Sequence, residues 1–343
     1  MPPALPHPTI AILSIGQMGL GIASLLQSHA YQVTTSLRGR SDATKNRAMA
    51  AGIKVADGDE EVIQGADYVL SIVPPKDAVA TAERVVRALE SNEKEGDVGG
   101  DGKGDKGKVL YYLDLNAISP GTARQIDTLF SRKNNNRAGD KQAGRREVVF
   151  IDGGIIGGPP SPPKSPSSST ETGGAPGTEW TRPDLPLSGP NKLPSTHLAS
   201  LLNTRHISNE IGSASGLKCC FAALTKGFTA LALQSFTTAS SLGVLPHLQE
   251  YMDAYNPDAK AKAERGVVGC TGKAYRWVEE MRQIGECFEG EGGWKGRAGV
   301  FREIAEVFQG LADVVEREGS AEGMESVERV VGVLGDHLRD DLE

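Results

Sequence analysis

Thr9-Ile10-Ala11-Ile12-Leu13-Ser14-Ile15-Gly16-Gln17-Met18-Gly19-Leu20-Gly21 is the stretch that decides the fold. Thr9–Ile15 is a short apolar run with β-branched residues and reads as a buried strand. Gln17–Ala30 then sets Met18, Ile22, Leu25 and Leu26 at helical spacing. The turn between them matches G-x-G-x-x-G with Ser14 in the first glycine position. In that pattern Gly16 lets the backbone approach a pyrophosphate and Gly19 permits close helix–strand contact. The free N–H groups of the helix start meet the anion. Gly16, Gln17, Met18 and Gly19 are therefore candidate cofactor ligands. A G-x-x-G pair alone means little in a chain with 42 glycines among 343 residues. Its place, after a first strand and at the start of a helix, gives the match its weight.

Outward from this turn, Gln32–Leu37 is a second strand, followed by a helix from about Asp42 to Ala51 that Gly52 can end. Ile53–Val55, Tyr68–Val73, Val109–Leu115 and Val148–Ile151 read as further strands, with helices at Lys76–Glu90 and Ser119–Arg132. This alternation predicts the α/β class, with a Rossmann-type doubly wound parallel sheet over residues 1–210. Residues 211–343 change character. Ser213 to about Leu242 is one long helical stretch, and His247–Ala254, Lys273–Glu289, Gly299–Arg317 and Glu322–Leu338 are also helical, which predicts an all-α second domain. Three polar, glycine- or proline-rich stretches, 91–107, 133–146 and 159–184, read as flexible insertions in the first domain.

Charge and cysteines narrow the function. The net charge is −7, and the balance is uneven: residues 245–343 are strongly acidic, whereas the first 244 are weakly basic. An acidic second half argues against nucleic acid as a partner, because phosphate neutralisation needs clustered Lys and Arg. Cys219, Cys220, Cys270 and Cys287 form no C-x-x-C pair, and read as free thiols of a reducing compartment rather than a disulfide framework or a metal site. The apolar stretch Cys219–Leu233 is interrupted by Lys226 and is too short to span a bilayer. The expectation is a soluble, cytoplasmic protein.

Cofactor choice is read about 20 residues beyond the glycine turn. An NAD site usually has an acid there, but the sequence is Thr35-Ser36-Leu37-Arg38-Gly39-Arg40-Ser41. Two arginines and a hydroxyl suit a ribose 2′-phosphate, which predicts NADP(H) over NAD(H), with Arg38, Arg40 and Ser41 as its contacts. The fourth strand ends in Val73-Pro74-Pro75 and the fifth in Asp114-Leu115-Asn116, at carboxyl ends where open α/β sheets bind ligands. Val73, Pro74, Pro75 and Asn116 join the candidate cofactor contacts, Asn116 through its amide or, equally, as a helix cap before Ile118 and Ser119. Lys218 lies in the early turns of the long helix after Gly212-Ser213-Ala214-Ser215-Gly216-Leu217, among apolar neighbours. The positive helix end and partial burial lower a lysine pKa, so Lys218 is the candidate proton donor or acceptor for hydride transfer. Lys226, two turns on, is its competitor.

These segments, with Asp114-Leu115-Asn116-x-x-Ser119-Pro120 and Asp152-Gly153-Gly154-Ile155-Ile156-Gly157-Gly158-Pro159, resemble the β-hydroxyacid dehydrogenase superfamily, which includes 6-phosphogluconate dehydrogenase and the imine reductases. Thr225-Lys226-Gly227 and Arg276-Trp277-Val278-Glu279-Glu280-Met281 are similar to a branch labelled phosphogluconate-dehydrogenase-like, with a C-terminal domain of unknown function. The resemblance implies a Rossmann domain, a helical domain that commonly forms the homodimer, and an active site in the cleft between them. It implies Lys218 as catalytic acid/base and Gly157 and Gly158 near the substrate, with Ile156 and Ser215 beside them. Departures accompany it. Ile156 stands where the family carries a carboxylate-binding serine. Phe221 and Ala222 stand where histidine and asparagine serve the decarboxylase, so decarboxylation of 6-phosphogluconate is not expected.

The expectation is an NADP(H)-dependent oxidoreductase acting on a small carbonyl, hydroxyacid or imine. The alternative is a non-catalytic NADP(H)-binding sensor or partner protein.

Overall fold

The computed structural model describes residues 7–39, 41–97, 108–135, 146–163 and 179–340. Contacts divide the chain into two units, 1–218 and 219–343.

In the first unit the described residues form eight strands: β1 (Ile10–Leu13), β2 (Val33–Ser36), β3 (Lys54–Ala56), β4 (Tyr68–Ser71), β5 (Leu110–Asp114), β6 (Val148–Gly153), β7 (Leu185–Ser188) and β8 (Thr204–Ser208). They make one sheet in the order β3-β2-β1-β4-β5-β6-β7-β8. Every neighbouring pair is parallel except β6 and β7. The helices are α1 (Gln17–Ser28), α2 (Asp42–Ala50), α3 (Asp59–Gln64), α4 (Ala78–Asp97), α5 (Pro120–Asn135) and α6 (Thr196–Leu201). Strand periodicity explains the two covered faces. In β1, Ile10 and Ile12 join the cluster with Ile22, Leu25 and Leu26 of α1, whereas Ala11 and Leu13 join the opposite cluster with Val85 and Phe130 of α4 and α5. The chain turns back between β3 and β4, so β1 is flanked by β2 and β4, and the carboxyl ends of β1 and β4 border the switch point where doubly wound sheets bind ligands.

A long helix, α7 (Ser213–Ser241), begins in the first unit and continues into the second, which adds α8 (Leu245–Tyr255), α9 (Pro257–Cys270), α10 (Ala274–Gly290), α11 (Val300–Arg317) and α12 (Val327–Asp340). Among its described residues there is no strand. Leu233 and Phe236 of α7 share one core with Met281 of α10, Phe308 and Leu311 of α11, and Val330 of α12. Trp277 meets Phe308 edge-on at 5.1 Å. By length and composition α7 could cross a membrane, but its apolar side is partly spent on this core, as in the central helix of a helical domain.

Several expectations need correction. The stretch 91–107 is not all insertion, because 91–97 continues α4; 98–107 lies outside the described residues. In the stretch 133–146, Lys133 is a buried side chain in the last turn of α5 and buried Arg146 precedes β6; 136–145 lies outside the described residues. Arg146 donates to the Ile63 (2.7 Å) and Ala66 carbonyls at the end of α3, and its own carbonyl accepts from Lys133. Arg146, read as solvated loop, is here satisfied by carbonyls at the end of α3, where a positive charge is favoured, and Lys133 by the Arg146 carbonyl and Glu93. In the stretch 159–184, Ile156 bridges Asp184 and Ser161 bridges Thr181 in antiparallel fashion, and Trp180 packs on the sheet core; 164–178 lies outside the described residues. The short helices α3 and α6, the longer α9 and the strands β7 and β8 depart from the sequence expectation. Pro186 sits inside β7 and weakens its strand signal.

Candidate functional site

The glycine turn is built as its sequence suggests. Gly16 precedes the first residue of α1, and no side chain caps that helix start. Open space surrounds the position where Gly16 would carry a Cβ, whereas a Cβ on Gly19 would overlap the Ser14 carbonyl oxygen. Ser14 itself is held at φ +90°, a region that costs a residue with a side chain about 1–3 kcal/mol. Gln17 is exposed and Met18 packs partly on the sheet core. The uncapped N–H groups and the open side of Gly16 fit a pyrophosphate.

At the end of β2, Arg38 is exposed, and among the described residues its guanidinium has no partner. Ser41 caps α2, its hydroxyl accepting from the Thr44 N–H at 3.4 Å. Arg40 lies outside the described residues. Among the described residues no carboxylate occupies the end of β2, and the N-terminus of α2 follows.

At β4 and β5 the structure departs from expectation. Asn116 is buried; its Oδ1 accepts from the Val73 N–H at 2.7 Å, and its Nδ2 donates to Ser71 Oγ and Asp114 Oδ2, both at 3.0 Å. One amide hydrogen ties the end of β5 to Ser71 of β4 and the other is held by Asp114, so the amide is engaged within the sheet. Nor does Asn116 cap the following helix, since Ser119 Oγ accepts the Thr122 N–H at 3.1 Å. Val73 and Pro75 are buried and Pro74 half-buried; Pro75 opens a 3-10 turn over Pro75–Asp77.

The most elaborate geometry joins β6 to the start of α7. Asp152 is fully buried. Its Oδ2 accepts the N–H groups of Gly212, Ala214 and Ser215 at 3.0, 3.1 and 3.2 Å and the Ser188 hydroxyl at 2.7 Å; its Oδ1 accepts the Ser215 hydroxyl at 2.5 Å. A carboxylate thus satisfies the orphan donors of the helix start. Three residues farther along, Lys218 Nζ donates to the Ile155 carbonyl at 2.5 Å. Gly154 admits this approach, because a Cβ there would stand 3.0 Å from Lys218 Cβ. Ser215, expected near the substrate, has its hydroxyl hydrogen bound to Asp152 and is fully buried, so it locks the helix start instead. Gly157 and Gly158 are exposed and Ile156 is half-buried.

Asp114 and Asp152 are register partners on neighbouring strands. Burial pushes the Asp114 carboxyl up to about 7 and the Asp152 charge adds to this, against the lowering by bonds from Asn116. Asp152 is also raised by burial, against the bonds from Ser188 and Ser215. Neither carboxylate nor Ser188 was assigned a role from sequence; the available signal was an Asp ending each of two adjacent predicted strands.

In the second unit Lys226 is buried, paired with Glu280 and 5.1 Å above the Trp277 ring. The two motifs Thr225-Lys226-Gly227 and Arg276–Met281 therefore meet in one ion pair.

Two family models match parts of the chain: "NADP oxidoreductase coenzyme F420-dependent" over residues 9–94 and "Domain of unknown function (DUF1932)" over 239–311. An uncharacterised 28.5 kDa protein of Methanothermus fervidus is 24% identical over 245 residues, 70% of this chain and 76% of that protein. A conserved protein of unknown function, described as structurally similar to 3-hydroxyacid dehydrogenases, superposes with TM-score 0.54 at 22% identity, over 89% of this chain and 97% of that one. A 3-hydroxyisobutyrate dehydrogenase of Mycobacterium tuberculosis, solved with L-serine, gives TM-score 0.55 at 14% identity, over 96% and 99%.

Proposed function

We propose that this chain is a β-hydroxyacid dehydrogenase-like protein and an NADP(H)-dependent oxidoreductase, a reading supported by the family models over 9–94 and 239–311 and by the shared fold. Its substrate class is a small carbonyl, hydroxyacid or imine. The observation that carries this reading is Lys218: its Nζ is held 2.5 Å from the Ile155 carbonyl, in the segment that leaves the carboxyl end of β6, the end at which such sheets bind ligands.

The bound nicotinamide would supply or accept the hydride. The uncapped start of α1 at Gly16–Gly19 holds the pyrophosphate, and Arg38, Arg40 and Ser41 with the N-terminus of α2 receive the 2′-phosphate. Lys218 gives a proton to the substrate oxygen or nitrogen on reduction and takes it back on oxidation. Lys226 is less suited to that task, since Glu280 already engages its ammonium group. Ile156 in place of a polar group favours a substrate held by apolar contact there, and argues against 6-phosphogluconate decarboxylation. Four free thiols suit a cytoplasmic enzyme, and a homodimer through the helical unit completes the proposal.

The experiment is NADPH oxidation against a panel of carbonyls and imines, with Lys218→Ala alongside. Turnover lost in the variant, with NADPH affinity within twofold of the parent, supports the reading. Full turnover in Lys218→Ala rejects Lys218. Tight NADPH binding with no turnover on any substrate makes the chain a cofactor-binding sensor.

A further inference from the structure

We infer that Asp152 is the residue that positions Lys218: its carboxylate clamps the first turn of α7 to β6 and thereby sets Nζ against the Ile155 carbonyl. The inference rests on the reading of Lys218 as proton carrier for its functional meaning, but its geometry is independent of that reading. Asp152 contacts neither the lysine nor any reacting atom by the bonds described, so its role is positional.

The clamp has two ends on one short piece of chain. Asp152 belongs to β6, which ends at Gly153, and the chain runs on through Gly154 to Ile155, whose carbonyl receives the lysine. On the other side, three N–H groups at the start of α7, of Gly212, Ala214 and Ser215, converge on one carboxylate oxygen. A helix start can rotate or slide unless its N–H groups are fixed, and rotation by one residue turns a side chain by about 100°. Holding three N–H groups on a buried anion removes that freedom. Lys218 is three residues past Ser215, on the same rigid turn, so the position of its Cβ follows from the clamp. Gly154 reports how tight the fit is, because even a methyl group there would press on Lys218 Cβ. Ser188 completes the arrangement from β7: its hydroxyl donates to Asp152 Oδ2 and its oxygen accepts the Ala214 N–H at 2.9 Å. A cap needed only to satisfy the helix end could be a local serine, threonine or aspartate at the N-cap. Here the acceptor comes instead from the strand whose following segment carries the carbonyl partner of the lysine.

The test reads Lys218 directly. Trace acetylation of the intact protein with acetic anhydride, followed by peptide mass spectrometry, gives the labelling rate of Lys218 relative to exposed Lys54 and Lys295. Asp152→Asn is expected to raise the relative Lys218 rate about fivefold or more, and Ser215→Ala about two- to threefold, with both reference lysines unchanged. NADPH affinity is expected to stay within twofold, while kcat falls about tenfold in Asp152→Asn and its pH profile shifts. Ser215→Ala keeps the three N–H bonds, so it answers the question even where Asp152→Asn does not fold. An unchanged relative rate in Ser215→Ala and in any folded Asp152→Asn overturns the inference. Raised labelling in these variants together with full turnover in Lys218→Ala leaves the clamp standing and overturns only the proton-carrier reading.

Discussion

Gly19 lies so close to Ser14 that a Cβ at position 19 would overlap the Ser14 carbonyl oxygen. Ser14 itself stands at φ +90°, so the turn combines a glycine that cannot grow with a serine that would relax as glycine. Gly19→Ala is expected to cost about 1–3 kcal/mol, the usual price of overpacking against rigid backbone. Ser14→Gly is expected to stabilise by about 1 kcal/mol, the relief of strain exceeding the added chain entropy of glycine. Urea denaturation of both variants checks the opposite signs; a destabilised Ser14→Gly contradicts the strain.

Arg38 decides cofactor preference if the 2′-phosphate lies beyond β2. Arg38→Ala should weaken NADPH binding roughly tenfold, the loss of one charge-assisted contact, and leave NADH binding unchanged. Fluorescence titration with both nucleotides measures this. Equal losses for the two nucleotides, or none, would show that the guanidinium is merely solvated.

The alternation of strands and helices was legible in the first half because β1, β4, β5 and most of β6 are buried and read as apolar runs, while the buried β2, Val-Thr-Thr-Ser, shows through its β-branched residues. β8 was not, since its residues alternate between half-buried and exposed at the sheet edge. Gly19 was legible because only glycine fits against the Ser14 carbonyl, and Gly16 because of its place at the strand-to-helix turn, where a side chain would meet open space. Asp152 was hidden for the opposite reason: its partners are backbone N–H groups sixty residues away, and N–H groups leave no mark in sequence. Asn116 misled, as an amide at a strand end serves a ligand and a strand-to-strand tie equally well. Lys133 and Arg146 misled because a charged residue in a polar run looks solvated until its carbonyl acceptors are placed.

Asp114 should leave a pH signature. Its carboxyl is pushed up to about 7 by burial, above its value in an unfolded chain, so between about pH 4 and 7 the folded state binds more protons than the unfolded one. Stability then falls as pH rises through that window, by up to about 1.4 kcal/mol per pH unit from this group, and levels off above 7. Denaturation of the parent and Asp114→Asn from pH 4 to 8 isolates the term: the difference between them should change across the window. A constant difference would mean that Asp114 keeps an ordinary carboxylate pKa.

Lys226 and Glu280 form a nearly buried ion pair, with side chains 10% and 13% exposed. Removing one partner strands the other charge, which typically costs about 3–5 kcal/mol, whereas removing both costs less. Glu280→Gln should therefore destabilise by about 3 kcal/mol and the double variant Glu280→Gln with Lys226→Gln by less. Additive losses in thermal or urea denaturation would show that the two groups are not coupled.

The remaining prediction concerns association. On α7, Leu217, Leu224 and Leu231 recur every seven residues, and Phe221, Phe228 and Leu242 fall on the second series at multiples of seven. Leu224 is 76% exposed and Leu231 59%. An a/d seam of this spacing is the pattern by which helices pack knobs into holes, and its natural complement is the same seam on a second copy. Two exposed leucines replaced by charge would leave the buried side of α7 untouched. Leu224→Glu with Leu231→Glu should therefore convert the proposed dimer to monomer in sedimentation velocity, with the helical content by circular dichroism preserved. An unchanged sedimentation coefficient, dimeric or monomeric in both parent and variant, would remove α7 from any self-association.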